Sequence, residues 1–166
     1  VVDLIGELAQ KIGMGLLYIS HNLALVGRIC ERVGVMYAGR LVEEGRTSDI
    51  FGRPRHPYTQ ALIACRPSVP EAAASRRLTA IPGQPPAPGL HIEGCAFAPR
   101  CPHMVPGRCD QAAAIAVKTV AAGHLVRCAR AEEGLAIATA PLEAETRPQP
   151  GAEVIRLEHL SKAYLP

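Results

Sequence analysis

The segment from Gly15 to Gly45, GLLYISHNLALVGRICERVGVMYAGRLVEEG, constrains the fold more than any other part of the chain. Its apolar run over 15–19 has the length of a buried strand, and Ser20 ends that run before a helical pattern begins. His21 is therefore predicted to follow a strand, and ligands of open α/β sheets bind beyond the carboxyl ends of strands. Two interpretations of His21 remain open at this point: a residue that faces a ligand, or a helix-capping loop histidine without chemistry.

A helix and a β-hairpin are predicted directly after His21. The helix is indicated by apolar residues at helical spacing, which are Leu23, Val26, Ile29 and Cys30. Val33 to Tyr37 predicts a strand, Ala38-Gly39 a tight turn, and Arg40 to Glu44 a return strand that closes at Gly45.

Two short helices are predicted after the hairpin. Thr47 is expected to cap the first, which runs through Phe51, and Arg53 to Pro57 separates it from the second, over Tyr58 to Cys65. The sequence so far predicts a mixed α/β chain.

This order of elements resembles the C-terminal part of an ATP-binding subunit of an ABC transporter. LLYISHN is similar to its strand and switch-histidine loop, VGVMYAGRLVEEG to the hairpin that follows, and TSDIFGRPRHPYTQALI to the end of the catalytic domain. The tripeptide His56-Pro57-Tyr58 resembles the segment that introduces the C-terminal extension of ATPases serving peptide and nickel uptake. The implied fold class is α/β: the C-terminal part of a P-loop NTPase domain, an irregular cysteine-containing extension, and the first strand of a second ABC domain.

The resemblance implies a catalytic role for His21 and implies ATP with Mg²⁺ as the cofactor of the full-length chain. Phosphoryl transfer to water depends on positioning and charge stabilisation, and an imidazole can donate one hydrogen bond to the γ-phosphate while its other nitrogen holds water or a partner loop. The family more often has an acidic residue after this histidine, whereas this chain has Asn22. Asn22 can still cap the following helix.

Several motifs of a complete ATPase do not occur in the sequence. We find no G-x-x-x-x-G-K-[ST] phosphate loop, no LSGGQ-like signature and no apolar strand ending in paired acidic residues. The 166 residues alone are therefore expected neither to bind ATP tightly nor to hydrolyse it. The chain is expected to begin inside a helix and to be a window of a longer protein, since one apolar stripe there comprises Val1, Leu4, Ile5 and Leu8.

The C-terminal end resembles the opening of a second ATP-binding domain. Val154 to Leu157 predicts a short strand, and Tyr164 occupies the place of the aromatic residue that stacks on adenine in that family. The alternative for Tyr164 is an exposed aromatic residue without a ligand. The resemblance implies a chain with two ATPase domains.

Four cysteines in the proline- and glycine-rich middle of the chain form the second informative pattern. Cys95, Cys101, Cys109 and Cys128 follow the spacing C-x5-C-x7-C-x18-C. Such a segment has little apolar material for a core, so a metal or disulfides would supply its order. In some peptide-transport ATPases, the C-terminal extension that follows the His-Pro-Tyr segment holds a four-iron, four-sulfur cluster. The resemblance therefore implies such a cluster on these four cysteines. Zn²⁺, disulfides and free thiols remain the alternatives.

Other cysteines and histidines are weaker candidates for this site. Cys30 and Cys65 lie on predicted helix faces and are expected to be small buried apolar residues. A nearby histidine could replace a sulfur in a zinc site, although loop histidines are usually solvated; the three flanking ones are His91, His103 and His124.

The predicted organisation has four parts. Residues 1–66 complete a first ABC ATPase domain, 67–135 form the extension with the cysteine quartet, 136–151 form a Pro/Ala-rich linker, and 152–166 begin the second domain. Because basic residues are scattered and the net charge is only +3, nucleic acid is not an expected partner. No run of eighteen apolar residues indicates a membrane span.

The predicted function is that of the ATP-hydrolysing subunit of an ABC importer for peptides, nickel or similar small solutes. The resemblance implies permease subunits and, indirectly, a solute-binding protein as partners, and a cytoplasmic location at the inner face of the membrane. Two alternatives stay open: a metal-binding interaction module without enzymatic activity, and a soluble tandem ABC ATPase that works in translation or repair.

Overall fold

The structure, a computed structural model, describes residues 2–65, 80–112 and 115–137. The predicted strand at 154–157, Tyr164 and most of the predicted linker 136–151 lie outside the described residues. The prediction of a mixed α/β chain is confirmed, because the described part combines four α-helices with a four-stranded antiparallel sheet.

The hairpin forms as the sequence predicts. Strand β1 spans Arg32–Tyr37 and strand β2 spans Arg40–Arg46, so the return strand continues past the predicted end at Gly45. Ala38 and Gly39 both have positive φ, 47° and 75°, as a type I′ turn requires. The turn twists with the strands and sets their register.

The helices are short and begin close to the predicted positions. Helix α1 covers Val2–Ile12, α2 Leu23–Ile29, α3 Thr47–Gly52 and α4 Pro57–Ala64. The Asn22 side chain caps α2, as predicted, by accepting the N–H groups of Ala24 at 3.1 Å and Leu25 at 3.2 Å.

The predicted role of Thr47 as a helix cap is wrong. Arg46 is the N-cap of α3, and its side chain makes no capping bond. Thr47 is the first helical residue. Its N–H donates to the carbonyl of Glu31, and its hydroxyl donates to the carbonyl of Cys30. These bonds tie the end of β2 to the end of α2.

The sheet joins residues from both sides of the predicted boundary at 66/67. Strand β3 spans Lys118–Ala121, β4 spans His124–Val126, and the strand order is β1-β2-β4-β3. Strand β4 pairs with β2 through Glu43 opposite Val126 and Glu44 opposite Leu125. The hairpin therefore provides the edge on which the later part of the chain assembles.

The predicted strand over 15–19 does not form. Residues 14–20 have irregular backbone, and Leu17 and Ile19 are 86% and 88% exposed. A strand needs a neighbour for its backbone hydrogen bonds, and none of the four strands in the described ranges pairs with this run. His21 consequently follows a loop in this structure.

The main core lies between the hairpin, the short helices and the segment around Phe97. Phe97 and Ile50 are each 1% exposed at its centre. Three rings meet there, with centroids 4.6 Å apart for Tyr37 and Tyr58 and 5.4 Å apart for each of them and Phe97. Such aromatic clusters contribute both buried area and preferred ring geometry. Tyr58, the last residue of His56-Pro57-Tyr58, is thus packed against both the hairpin and the cysteine-rich segment.

One buried carboxylate connects three separate segments. Glu43 in β2 is 1% exposed, and its Oε1 accepts the N–H of Arg55 at 2.7 Å and lies 2.8 Å from Nε2 of the buried His124. Its Oε2 accepts the N–H of His56 at 3.0 Å. We call this arrangement the Glu43 junction. The partners of Glu43 come from the two residues that precede α4 and from β4. The junction therefore holds the start of α4 and strand β4 against the hairpin.

We expect Glu43→Gln to lower the free energy of unfolding by about 3 kcal/mol, since a buried amide NH₂ would face hydrogen-bond donors. Urea unfolding followed by circular dichroism measures the change. The matched control is Glu44→Gln, which removes a half-exposed ion pair with Arg32 at 2.8 Å and should cost less than about 1 kcal/mol. Equal losses in the two variants would contradict the anchoring role of Glu43.

Candidate functional site

All four cysteines of the predicted quartet line one small cavity of about 20 Å³. Cys95 and Cys101 flank a short 3₁₀ helix at Ala98–Arg100, Cys109 ends the following loop, and Cys128 comes two residues after β4. The structure thus brings together residues that are up to 33 positions apart in the sequence. We call this the cysteine cavity.

Two sulfurs of the quartet accept a backbone N–H. Cys128 Sγ accepts the N–H of Arg130, two residues further along the chain, at 3.4 Å. Cys109 Sγ accepts the N–H of Val105 at 3.5 Å. Hydrogen bonds to sulfur favour the thiolate over the thiol, and they adjust the properties of metal–thiolate centres.

Burial opposes ionisation of three of the thiols, those of Cys95, Cys101 and Cys128. It raises the pKa of Cys95 to about 11, while the N–H of Phe97 acts in the other direction and the neighbouring cysteines raise the pKa further. Burial also raises the pKa of Cys101 and of Cys128. At neutral pH these sulfurs are therefore protonated unless a cation compensates for the lost hydration.

Gly94 allows the two halves of the cysteine loop to approach each other. The Cys95 N–H donates to the Cys109 carbonyl at 2.8 Å. Gly94 has φ +76°, and a Cβ there would lie 2.4 Å from the carbonyl carbon of Asp110. Only glycine fits both this backbone conformation and this contact.

The donor set of the cavity matches a metal–thiolate centre in its chemistry. Four sulfurs are the usual ligands of structural Zn²⁺ and of iron–sulfur clusters. All six cysteines of the chain are free thiols in the structure. Within the described ranges, however, no three His, Cys, Asp or Glu side chains are arranged as a finished coordination group. Metal binding by the quartet therefore stays a prediction.

The predicted flanking residues have different surroundings. His103 lines the cavity, but its Nε2 is 2.8 Å from the carbonyl of Ala136. His124 belongs to the Glu43 junction, and His91 is exposed. The other two cysteines are half-buried and do not line the cavity; Cys30 packs against the main core and Cys65 ends α4.

His56 is a cavity-lining residue that the sequence analysis missed. The residue is 1% exposed. Its Nδ1 accepts the N–H of Tyr58 at 3.0 Å and so caps α4, while its Nε2 is 3.9 Å from Cys95 Sγ. Burial lowers its pKa to about 4, so the ring is neutral at physiological pH. The signal in the sequence was a polar residue just before a proline, which is the usual start of a helix.

His21, the predicted catalytic residue, lies apart from this cavity. It is exposed in the loop before α2, and it is not among the residues lining the cysteine cavity. The Ser20 hydroxyl accepts the N–H of Asn22 at 3.0 Å and shapes the loop. The structure therefore contains two separate candidate sites.

Comparison with known proteins finds a family match for one part of the chain. Residues 42–109 match the model of the C-terminal region of oligopeptide/dipeptide transporters. This range begins in β2 and ends at Cys109, so it contains the Glu43 junction's carboxylate, the His56-Pro57-Tyr58 segment and three of the four cysteines. These residues are therefore similar to that C-terminal region.

The chain is also homologous to ATP-binding proteins. It is 42% identical over 137 residues to a putative peptide import ATP-binding protein of Brucella ovis, which is 80% of this chain and 40% of the relative. It is 39% identical over 135 residues to a probable peptide ABC transporter ATP-binding protein of Sinorhizobium fredii, covering 80% of this chain and 39% of the relative. The chain thus spans about 40% of the length of the curated relatives that it matches. No helix in the described ranges has the length and apolarity needed to cross a membrane.

We expect Gly94→Ala to destabilise the cysteine loop more than Gly89→Ala does. Both glycines have positive φ, +76° and +79°, so both substitutions strain the backbone by about 1–2 kcal/mol, but only the methyl group at 94 meets other atoms. Thermal unfolding and the rate at which Cys95 reacts with a thiol reagent measure the difference. Identical behaviour of the two variants would show that the close approach at Gly94 is unimportant.

Proposed function

We propose that this chain is part of the ATP-hydrolysing subunit of an ABC importer for peptides, in which Mg²⁺-ATP hydrolysis drives transport. The observation that carries the proposal is the 42% identity to a peptide import ATP-binding protein over 137 residues. The match of residues 42–109 to the oligopeptide/dipeptide transporter region supports peptides as the cargo class. Nickel and similar small solutes are alternative cargo.

His21 is the proposed catalytic residue of that subunit. Its exposed side chain in the loop before α2 is free to meet a nucleotide held by other parts of the full-length protein. A neutral imidazole has one N–H to donate to a phosphate oxygen and one acceptor nitrogen for water. The loop geometry set by Ser20 and the Asn22 cap supports this role, because it fixes the backbone on the C-terminal side of His21.

We expect His21→Ala in the full-length protein to reduce ATP hydrolysis at least about 100-fold while nucleotide binding is retained, since the ring acts on the reacting phosphate rather than on the base. Phosphate release and binding of a fluorescent ATP analogue measure the two properties. His91→Ala, which removes another exposed histidine, is the control and should leave both unchanged. Full hydrolysis by the His21 variant would refute the assignment.

The proposed partners follow from the same homology. Permease subunits would receive the conformational change, and a solute-binding protein would supply the cargo. The subunit would lie in the cytoplasm, against the inner face of the membrane. We also propose a second ATPase domain that begins at 152–166, with Tyr164 stacking on adenine, on the resemblance of that segment to the start of an ABC domain.

The cysteine cavity is proposed to hold a metal centre, a four-iron, four-sulfur cluster or Zn²⁺, through Cys95, Cys101, Cys109 and Cys128. Three features support this: the shared cavity, the backbone N–H donors to Cys109 and Cys128, and the burial that raises the pKa of Cys95, Cys101 and Cys128. When bound, the metal would cross-link the loop segments. The residues of this chain contribute the sulfurs and the hydrogen bonds that orient them.

Anaerobic purification followed by metal and sulfide analysis tests this centre. A cluster should give iron, acid-labile sulfide and a broad absorption near about 400 nm, as cysteine-ligated iron–sulfur centres do. A structural zinc site should give stoichiometric zinc and no colour. Cys101→Ser should abolish either, whereas Cys65→Ser, which alters a cysteine outside the cavity, should not. Absence of any metal from the wild-type chain would refute the centre without affecting the ATPase assignment.

A further inference from the structure

We propose that His56 is a positioning residue of the cysteine cavity: its Nε2–H donates a hydrogen bond to Cys95 Sγ and holds that sulfur at the cavity. The two atoms are 3.9 Å apart, a longer separation than between nitrogen and oxygen because sulfur is larger. Both residues line the cavity. The functional role of this hydrogen bond rests on the proposed metal centre, whereas the contact between His56 and Cys95 does not depend on a metal.

The tautomer of His56 follows from its other contact. Nδ1 lies 3.0 Å from the backbone nitrogen of Tyr58, which can only donate, so Nδ1 must be the acceptor. In a neutral imidazole the proton is then on Nε2. The nitrogen that faces Cys95 is therefore an N–H donor.

The ring is held in place by groups that do not belong to the cavity. The His56 N–H donates to Glu43 Oε2 at 3.0 Å, and Pro57 fixes the first turn of α4 directly after it. The ring is 6.2 Å from the Phe97 ring, centroid to centroid, and the residue is 1% exposed. Its orientation is thus determined by the fold before any metal binds.

This arrangement favours a donor role over a ligand role. To bind a metal through Nε2, the ring would have to move its proton to Nδ1 and break the cap of α4. A donor, by contrast, stabilises negative charge on Cys95 without occupying a coordination position. Outer hydrogen bonds of this kind orient metal ligands and change metal affinity by about 10–100-fold when removed.

The first test compares His56→Asn with His124→Gln and the wild-type chain. Asn is a strong helix N-cap, so His56→Asn keeps the start of α4, but its shorter side chain does not extend to Cys95. We expect Zn²⁺ affinity, measured by competition with a chelator, to fall about 10–100-fold in this variant. With Co²⁺ as the probe, the thiolate-to-metal charge-transfer band should move to longer wavelength, because the sulfur loses a hydrogen bond.

His124→Gln provides the matched control, because it removes a different buried histidine that does not line the cavity. It should lower the unfolding temperature through the Glu43 junction and leave the cobalt charge-transfer band at its wild-type wavelength, because Glu43 still accepts the His56 N–H and the His56 ring still faces Cys95. A His56→Asn chain with wild-type affinity and spectrum overturns the proposal. A spectral change in both variants would also overturn it, since general destabilisation would then explain the effect.

Nuclear magnetic resonance of the metal-free wild-type chain separates this inference from the metal centre itself. Long-range ¹⁵N–¹H correlations should show the Nε2–H tautomer of His56, and Cys95→Ala should shift its Hε2 resonance, whereas Cys30→Ala should not. An Nδ1–H tautomer overturns the proposal. If no variant binds metal but these resonances behave as expected, the metal centre fails and the His56–Cys95 hydrogen bond stands.

Discussion

The buried carboxylate of Glu43 is the interaction on which the relative placement of the hairpin, the His56-Pro57-Tyr58 segment and β4 depends. Two backbone N–H groups and one imidazole converge on it at 2.7–3.0 Å with almost no contact with solvent. A carboxylate buried in this way is costly unless every oxygen is satisfied, so the three partners must be present together. The junction therefore stabilises one particular arrangement of segments that are distant in the sequence.

The geometry of the cysteine cavity follows from this arrangement. The same residue, His56, gives its backbone N–H to Glu43 and directs its ring towards Cys95. On the opposite side, His124 begins the strand that leads to Cys128. The cavity is thus assembled on a small antiparallel sheet and a helix start, while the loops between them carry the sulfurs and follow no regular periodicity.

The sequence predicted the local elements well and the long-range ones poorly. The β-hairpin, the Asn22 cap and α4 were predictable because each depends on neighbouring residues: a type I′ turn at Ala38-Gly39, a capping side chain, a proline at a helix start. The strand over 15–19 was predicted wrongly, because apolarity indicates burial but a strand also needs a partner. Strands β3 and β4 were missed because they are short, and because the pairing of β4 with β2 spans some eighty residues, beyond the reach of any local pattern.

The prediction of the candidate sites shows the same division between local and long-range features. Spacing and composition identified the four cysteines that line the cavity, because cysteines gathered in a proline- and glycine-rich loop have few other uses. His56 and Glu43 were missed because nothing local marks their burial: the proline after His56 indicates only a helix start. A glutamate in an edge-like strand resembles a surface residue, and the groups that bury Glu43, at residues 55–56 and in β4, come later in the sequence.

The position of Cys128, two residues beyond the strand that pairs with β2, couples the cavity to the hairpin thermodynamically. Any ligand that binds the folded cavity but not the unfolded chain adds its binding free energy to folding, about 2.7 kcal/mol at a concentration one hundred times the dissociation constant. Because β4 is hydrogen-bonded to β2 of the hairpin, ligand binding stabilises the sheet as well as the loops that carry the cysteines. A ligand bound by the cysteines would thus also stabilise the pairing of β2 with β4, and its loss would weaken that pairing.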